Sequence, residues 1–193
     1  MPVIKIIAGS TRPGRFNIQP SSWIHKIAQT HSDIQAELVD LAELNLPLLD
    51  EPKSAMMQDY QHEHSRQFSR IIQEADGFVF VTPEYNHSTS AALKNAIDYL
   101  YHEWNYKPVS FISYGSLPGG SRAVEHLRCI AAELKMYDLR EQILIPSYWN
   151  NLNDTGEYQF TAEQEKEAKA LLDSLTFWAR IMKAAREEME KTS

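Results

Sequence analysis

The chain has 193 residues and a formal net charge of −7 from 26 acidic and 19 basic residues; hydrophobic residues make up 43% and charged residues 23%. That balance is one of an ordinary globular domain, not of a disordered chain, and its acidity argues against a nucleic-acid partner, which calls for a basic face. The one cysteine, Cys129, leaves no intramolecular disulfide and no cysteine zinc site, no apolar run approaches the ~20 residues of a membrane span, and Met1 to Ala8 lacks the build of a signal peptide. The expectation is a single cytoplasmic domain over residues 1–193, with no membrane partner.

Val3 to Ala8 is a short apolar run ending at Gly9, which predicts a buried strand. Asn17 to Thr30 carries Ile18, Trp23, Ile24 and Ile27 at helical spacing. Ile34 to Leu41 is strand-like, and Leu44 to Lys53, broken by Asn45-Leu46-Pro47, reads as a loop. Tyr60 to Ala75 is a polar segment with Phe68, Ile71 and Ile72 at helix spacing. Gly77 to Thr82 is the clearest strand, and its unmixed apolar run fits burial on both faces. A helix from about Thr89 to Tyr101, a strand from Pro108 to Tyr114, a helix from Arg122 to Tyr137 and a strand from Leu139 to Ile145 follow. Tyr148 to Gln159 reads as loop. Thr161 opens a long helix to about Met189, with Gln164 at capping-box spacing and a charged, fraying end over Arg186 to Lys191.

Strand–helix alternation of this kind implies right-handed crossovers and a parallel sheet with helices on both faces. Periodicity alone leaves two strand orders open, flavodoxin-like or a truncated dinucleotide type. In both, ligands bind at the carboxyl ends of the strands, so the loops after strands one, three and four are where chemistry belongs.

The first of these loops is Gly9-Ser10-Thr11-Arg12-Pro13-Gly14-Arg15-Phe16-Asn17. Hydroxyls, backbone N–H groups and a helix N-terminus favour an anion such as phosphate, and Arg12 and Arg15 add cations that pair with phosphate oxygens. Gly9 and Gly14 have the spacing of a nucleotide-triphosphatase loop, but Arg15-Phe16 stands where Lys-Ser/Thr belongs. The dinucleotide glycine fingerprint is absent as well, which leaves Asp40 a plain strand-end residue. A ligand with a single phosphate fits what remains. The second loop, Thr82-Pro83-Glu84-Tyr85-Asn86-His87-Ser88, suits a flat heteroaromatic ring, or is a turn in which Ser88 or Thr89 caps the next helix. The third, Ser113 to Arg122, has Gly115, Gly119 and Gly120, which let backbone approach a ligand closely.

Gly9-Ser10-Thr11-Arg12, Pro83-Glu84-Tyr85-Asn86 and Ala92-Leu93-Lys94-Asn95-Ala96-Ile97-Asp98 together resemble the NADPH-dependent FMN reductases, which include quinone and azo-dye reductases. The resemblance runs from Val3 to about Met136. It implies a flavodoxin-like α/β sandwich with strand order 2-1-3-4-5, the long C-terminal helix of residues 161–193 packed on it, and bound FMN with NADPH or NADH as donor. It implies that Ser10, Arg12, Asn17 and Ile18 hold the FMN phosphate. Pro83, Glu84, Tyr85 and Asn86 then line the flavin ring, partly through backbone, and Ser113, Tyr114 and Gly115 take its other polar edge. The helix after the first loop departs from the family's small residues and valine by beginning Asn17-Ile18-Gln19-Pro20; Pro20 fits a first helical turn, so that helix starts a few residues later.

The activity so implied is ping-pong hydride transfer from NAD(P)H to FMN and on to a flavin, quinone or similar small acceptor, with no catalytic side chain. The competing reading is a flavin-binding electron carrier or redox sensor without turnover; the absence of tryptophan from both ring loops favours an open ring face and hence the reductase. A nucleotide hydrolase is opposed by the missing Lys-Ser/Thr. His62 and His64 do not share a helix face, so a solvated surface is favoured over a metal site. His87 is read as solvent-facing, Cys129 as a buried structural thiol, and the last helix's apolar stripe as core. The resemblance implies homodimers or homotetramers. The aromatic cluster of Tyr99, Tyr101 and Trp104 packs inside the subunit or covers a partner's site, and the resemblance favours the second.

Overall fold

The computed structural model describes residues 1–192. The strands β1 (Val3–Ala8), β2 (Gln35–Asp40), β3 (Gly77–Pro83), β4 (Pro108–Gly115) and β5 (Tyr137–Pro146) form one parallel sheet in the order β2-β1-β3-β4-β5. The helices are α1 (Ile18–Gln29), the short α2 (Leu41–Leu44), α3 (Glu63–Gln73), α4 (Ala91–Asp98), α5 (Ser121–Glu133) and α6 (Ala162–Thr192). This is the flavodoxin-like order, and it places the topological switch between β1 and β3.

Side chains alternate across a strand, and β3 shows what that does to an unmixed apolar run. Phe78 and Phe80 pack with α3, α4 and α5 through Phe68, Ile72, Leu93, Ile97, Val124 and Leu127. Val79 and Val81 face the other way, onto Ile24 of α1 and Leu171, Leu172 and Leu175 of α6. Each such fully buried side chain contributes about 1.5–3 kcal/mol. The result is three layers: α1 and α6, the sheet, and α3 to α5. Among the described residues no helix is long and apolar enough to cross a membrane.

Several element ends differ from expectation for identifiable reasons. Residues Leu41–Leu44 are helical because the Asp40 carboxylate accepts from Ala42 N (2.9 Å) at the helix start. The helix α1 begins at Ile18, with Pro20 as its third residue. The helix α4 stops at Asp98, and Tyr99 and Trp104 turn inward. The Trp104 ring sits 5.0 Å from Phe78 and 5.8 Å from Phe80, with its indole N–H on Ile97 O (3.2 Å). Trp104 is 1% exposed, so it is a core residue of its own chain and covers no partner's site. The capping box of α6 forms as expected, with Thr161 N on Gln164 Oε1 (3.0 Å) and Gln164 N on Thr161 Oγ1 (3.2 Å). Its C-terminal part does not fray at Arg186: Lys183 and Arg186 reach buried Asp76 at 2.8 and 2.6 Å. Cys129 is exposed, not buried.

Candidate functional site

The carboxyl ends of the strands are level. Ala8 pairs with Val81, Pro83 with Tyr114, and Gly115 with Pro146. The loops that follow β1, β3, β4 and β5 therefore meet around one cavity of about 400 Å³, within the usual size range of a small-molecule site. It is lined by Arg12 to Phe16, Pro83 to Tyr85, Tyr114 to Ser116, Tyr148 and Trp149. A second hollow of about 430 Å³ lies near Met1, Asp33 and Arg180. Its Arg180 and Lys183 already pair with Asp33 and Asp76 at 2.8 Å each.

The first loop leaves β1 through Gly9, whose N–H donates to Val81 O (2.9 Å). A Cβ here would stand 2.8 Å from that oxygen, so the close approach of β1 to β3 requires glycine. Ser10 is buried with Oγ 3.4 Å from the Tyr85 hydroxyl. Arg12 is exposed, and its guanidinium has no ion-pair partner among the described residues. Arg15 is different: it is ion-paired to Asp40, so only one of the two arginines expected to meet phosphate is free to do so. Asn17 is fully buried and its amide donates to Val81 O (2.9 Å). Neither Asn17 nor Ile18 lines the cavity. They form the start of α1, where Asn17 makes no side-chain cap and the first turn carries no acid. At that end Gln19 N donates to Phe16 O (2.9 Å) and Pro20 has no N–H, so the N–H groups left for an anion are those of Asn17 and Ile18.

The second loop is a tight two-residue turn. Tyr85 N donates to Ser88 O (2.9 Å) and Ser88 N to Tyr85 O (3.1 Å), with Asn86 at φ 51° and His87 at φ 67°. Two successive positive φ values mark the mirror-image turn that asparagine tolerates. This turn puts Asn86 and His87 at an exposed tip outside the cavity lining, while Pro83, Glu84 and Tyr85 remain on the wall. The cap of α4 is Ser90, whose Oγ accepts from Leu93 N (3.0 Å), rather than Ser88 or Thr89.

In the third loop Tyr114 and Gly115 line the cavity, and Ser113 does not. The Ser113 hydroxyl is buried and donates to Gly119 O (2.9 Å), so it shapes the loop from behind. Gly120, at φ 89°, packs so close that a Cβ would lie 2.6 Å from Ser113 Cβ. Burial pushes the Tyr114 hydroxyl well above the ordinary phenol range, with Tyr85 adding to the shift, so it stays a neutral hydrogen-bonding group at any physiological pH.

Phe16, Tyr148 and Trp149 were not among the residues expected from sequence. Phe16 stacks on Tyr148 (centroids 4.1 Å, 16°) and meets Tyr114 edge-on at 5.0 Å. Trp149 continues the wall at 5.3 Å from Tyr148, and half of it is exposed. The signal was present: Tyr148-Trp149 directly follows the carboxyl end of β5, one strand beyond the loops considered. His62 and His64 stack at 5.2 Å, and His64 contacts Asp50 at 3.0 Å. Among the described residues, no group of three or more metal-ligating side chains forms.

Known proteins resemble this chain in sequence and in fold. The family described as NADPH-dependent FMN reductase matches residues 2–150. An NAD(P)H-dependent FMN reductase of Schizosaccharomyces pombe is 42% identical over 70% of this chain and 68% of its own length. An NAD(P)H:quinone oxidoreductase of Solanum tuberosum is 34% identical over 70% and 71%. In structure, the flavoenzyme NAD(P)H:(acceptor) oxidoreductase FerB of Paracoccus denitrificans superposes with a TM-score of 0.75 at 20% identity, covering 94% of this chain and 99% of that one. The chain belongs to the NADPH-dependent FMN reductase family, oxidoreductases that use FMN with NAD(P)H as electron donor.

Proposed function

We propose that the cavity holds FMN and that the protein carries reducing equivalents from NAD(P)H to a flat acceptor such as a free flavin or a quinone. The observation that carries this reading is one cavity lined both by Arg12, whose guanidinium has no ion-pair partner among the described residues, and by the aromatic side chains of Phe16, Tyr114, Tyr148 and Trp149. A ligand that joins a phosphate to a planar ring matches this lining. Arg12, with Ser10 and the N–H groups of the loop and of the α1 start at Asn17 and Ile18, would hold the phosphate. Pro83, Glu84 and Tyr85 would present backbone and the Tyr85 ring to the flavin, with Tyr114 and Gly115 across from them, braced by Ser113, while Asn86 stands at the turn tip outside the lining.

FMN, when bound, supplies hydride chemistry in two half-reactions, which makes the scheme ping-pong. The chain's own part is to bind, orient and exclude water. Backbone N–H groups aimed at the ring edge stabilise the charge that reduction places there. No side-chain nucleophile or proton donor is assigned. A cytoplasmic homodimer or homotetramer, with no nucleic-acid or membrane partner, completes the proposal.

A visible spectrum of the purified protein with added FMN, repeated after anaerobic NADPH, tests it. Bound yellow flavin that bleaches on NADPH supports the reductase. Bound flavin that bleaches with neither NADPH nor NADH points to an electron carrier. Protein that takes up no FMN refutes the assignment.

A further inference from the structure

Glu84 lies in the ring-lining segment, yet its carboxylate is fully committed elsewhere. Its side chain is 6% exposed. Oε1 accepts from Arg122 Nε (2.6 Å) and contacts Arg122 Nη2, and Oε2 accepts from Arg122 N (3.2 Å). The Glu84 backbone N–H donates to Tyr114 O (2.9 Å). One residue thus ties the loop after β3 to the end of β4 and to the first turn of α5.

The start of α5 explains why a remote carboxylate is needed. Its N-cap is Gly120, which offers no side chain, and its first turn has no acid and instead carries the cation Arg122. A positive side chain at a helix N-terminus opposes the helix dipole. Glu84 reverses that by capping a free N–H and neutralising the guanidinium together. The clamp also sets a spacing. Tyr85 follows Glu84 on one wall, and Gly115 and Ser116 stand on the other; a Cβ on Gly115 would lie 3.4 Å from Glu84 Cβ.

We propose that Glu84 is a positioning residue that acts through Arg122: the pair fixes the slot between the two ring loops and keeps its wall free of net charge, and so sets how readily flavin in the slot is reduced. The inference rests on FMN occupying this cavity. An ion pair serving stability alone has the same contacts but a different signature. Reduction adds negative charge to the ring, so a lone Arg122 cation favours the reduced state and a lone Glu84 anion disfavours it.

The test uses FMN-loaded wild type, Glu84→Gln, Arg122→Gln, Arg122→Lys and the double Glu84→Gln/Arg122→Gln. FMN affinity is read by quenching of flavin fluorescence, and the midpoint potential by anaerobic dye equilibration. Glu84→Gln is expected to raise the potential and Arg122→Gln to lower it, with the double variant between them and Arg122→Lys near wild type. Each glutamine variant is also expected to weaken FMN binding about tenfold, equal to 1.4 kcal/mol. Potentials that move in the same direction, or not at all, overturn the proposal and leave a stabilising ion pair. If Glu84→Gln does not fold, Arg122→Gln decides alone: a lowered potential upholds the proposal and an unchanged one overturns it. Wild type that binds no FMN overturns the underlying cofactor reading and the inference with it, whereas FMN binding with unmoved potentials overturns the inference alone.

Discussion

Arg12 and Arg15 lie three residues apart in one loop and are alike in charge, and the family resemblance alone singles out Arg12 for the phosphate. The structure separates them physically, because Arg15 is held by Asp40 and Arg12 has no ion-pair partner among the described residues. Arg12→Ala therefore removes the loop's available cation. A hydrogen bond to a charged group is worth about 1.5–3 kcal/mol. Arg12 is exposed, so solvent screening places it at the low end, and about 1.5 kcal/mol corresponds to roughly a tenfold weaker FMN Kd. The assay is titration of FMN and, in parallel, riboflavin, which lacks the phosphate. Arg12→Ala should weaken FMN binding and leave riboflavin binding unchanged, and added salt should narrow the gap between wild type and variant. Arg15→Ala should instead lower thermal stability, since buried Asp40 loses its cation, while FMN affinity stays near wild type. Equal loss of FMN and riboflavin in Arg12→Ala, or a larger FMN defect in Arg15→Ala, would refute the division of labour.

Three further outcomes follow from the geometry. Trp149→Ala should raise the KM for a flat quinone by roughly twofold to tenfold, the range of an aromatic contact of about 0.5–1.5 kcal/mol, with FMN affinity little changed; an unaltered KM removes Trp149 from the acceptor site. Trp104→Ala should destabilise the folded chain by about 3–5 kcal/mol in urea unfolding, and a near-neutral result would mean its ring is not core. Lys107 is buried with Nζ on Ile72 O (2.9 Å) and Gln73 O (3.0 Å), and burial pushes its pKa down to about 7 from the ordinary 10.5. The unfolded chain then binds the extra proton between those values, so this group adds stability as pH rises through that window, by at most about 1.4 kcal/mol per pH unit. Urea unfolding of wild type and Lys107→Met across pH 7 to 10 should show that rise in wild type alone, and parallel curves would contradict it.

The central strands β1, β3 and β4 were legible because they are short, largely apolar runs closed by glycine or proline, and β3 displays burial on both faces in four residues, whereas the edge strand β2 ends at Asp40. The strand order came from the resemblance, since periodicity left two orders open. The site was legible where a loop is local in sequence, as at Gly9–Asn17 and Pro83–Tyr85. Long-range pairing was not: nothing in the sequence tells that Arg15 meets Asp40, or that Glu84 meets Arg122. The position of Asn86 at the tip was not legible either, because it follows from the left-handed turn closed by Tyr85 and Ser88. Cys129 was misread from residue type. Leu127 and Ala131 are one helical turn apart and both buried, and position 129 lies across the helix from them. Trp104 was misassigned because an aromatic cluster reads alike in a core and at an interface until its packing is known.

An experimental structure of the FMN-loaded protein tests the central claim most directly. The account predicts phosphate density beside Arg12 and the first turn of α1, with the flavin ring in the slot between Tyr85 and Gly115 and against the Tyr114 side of the aromatic wall. Flavin bound elsewhere, or its phosphate away from Arg12, would contradict it.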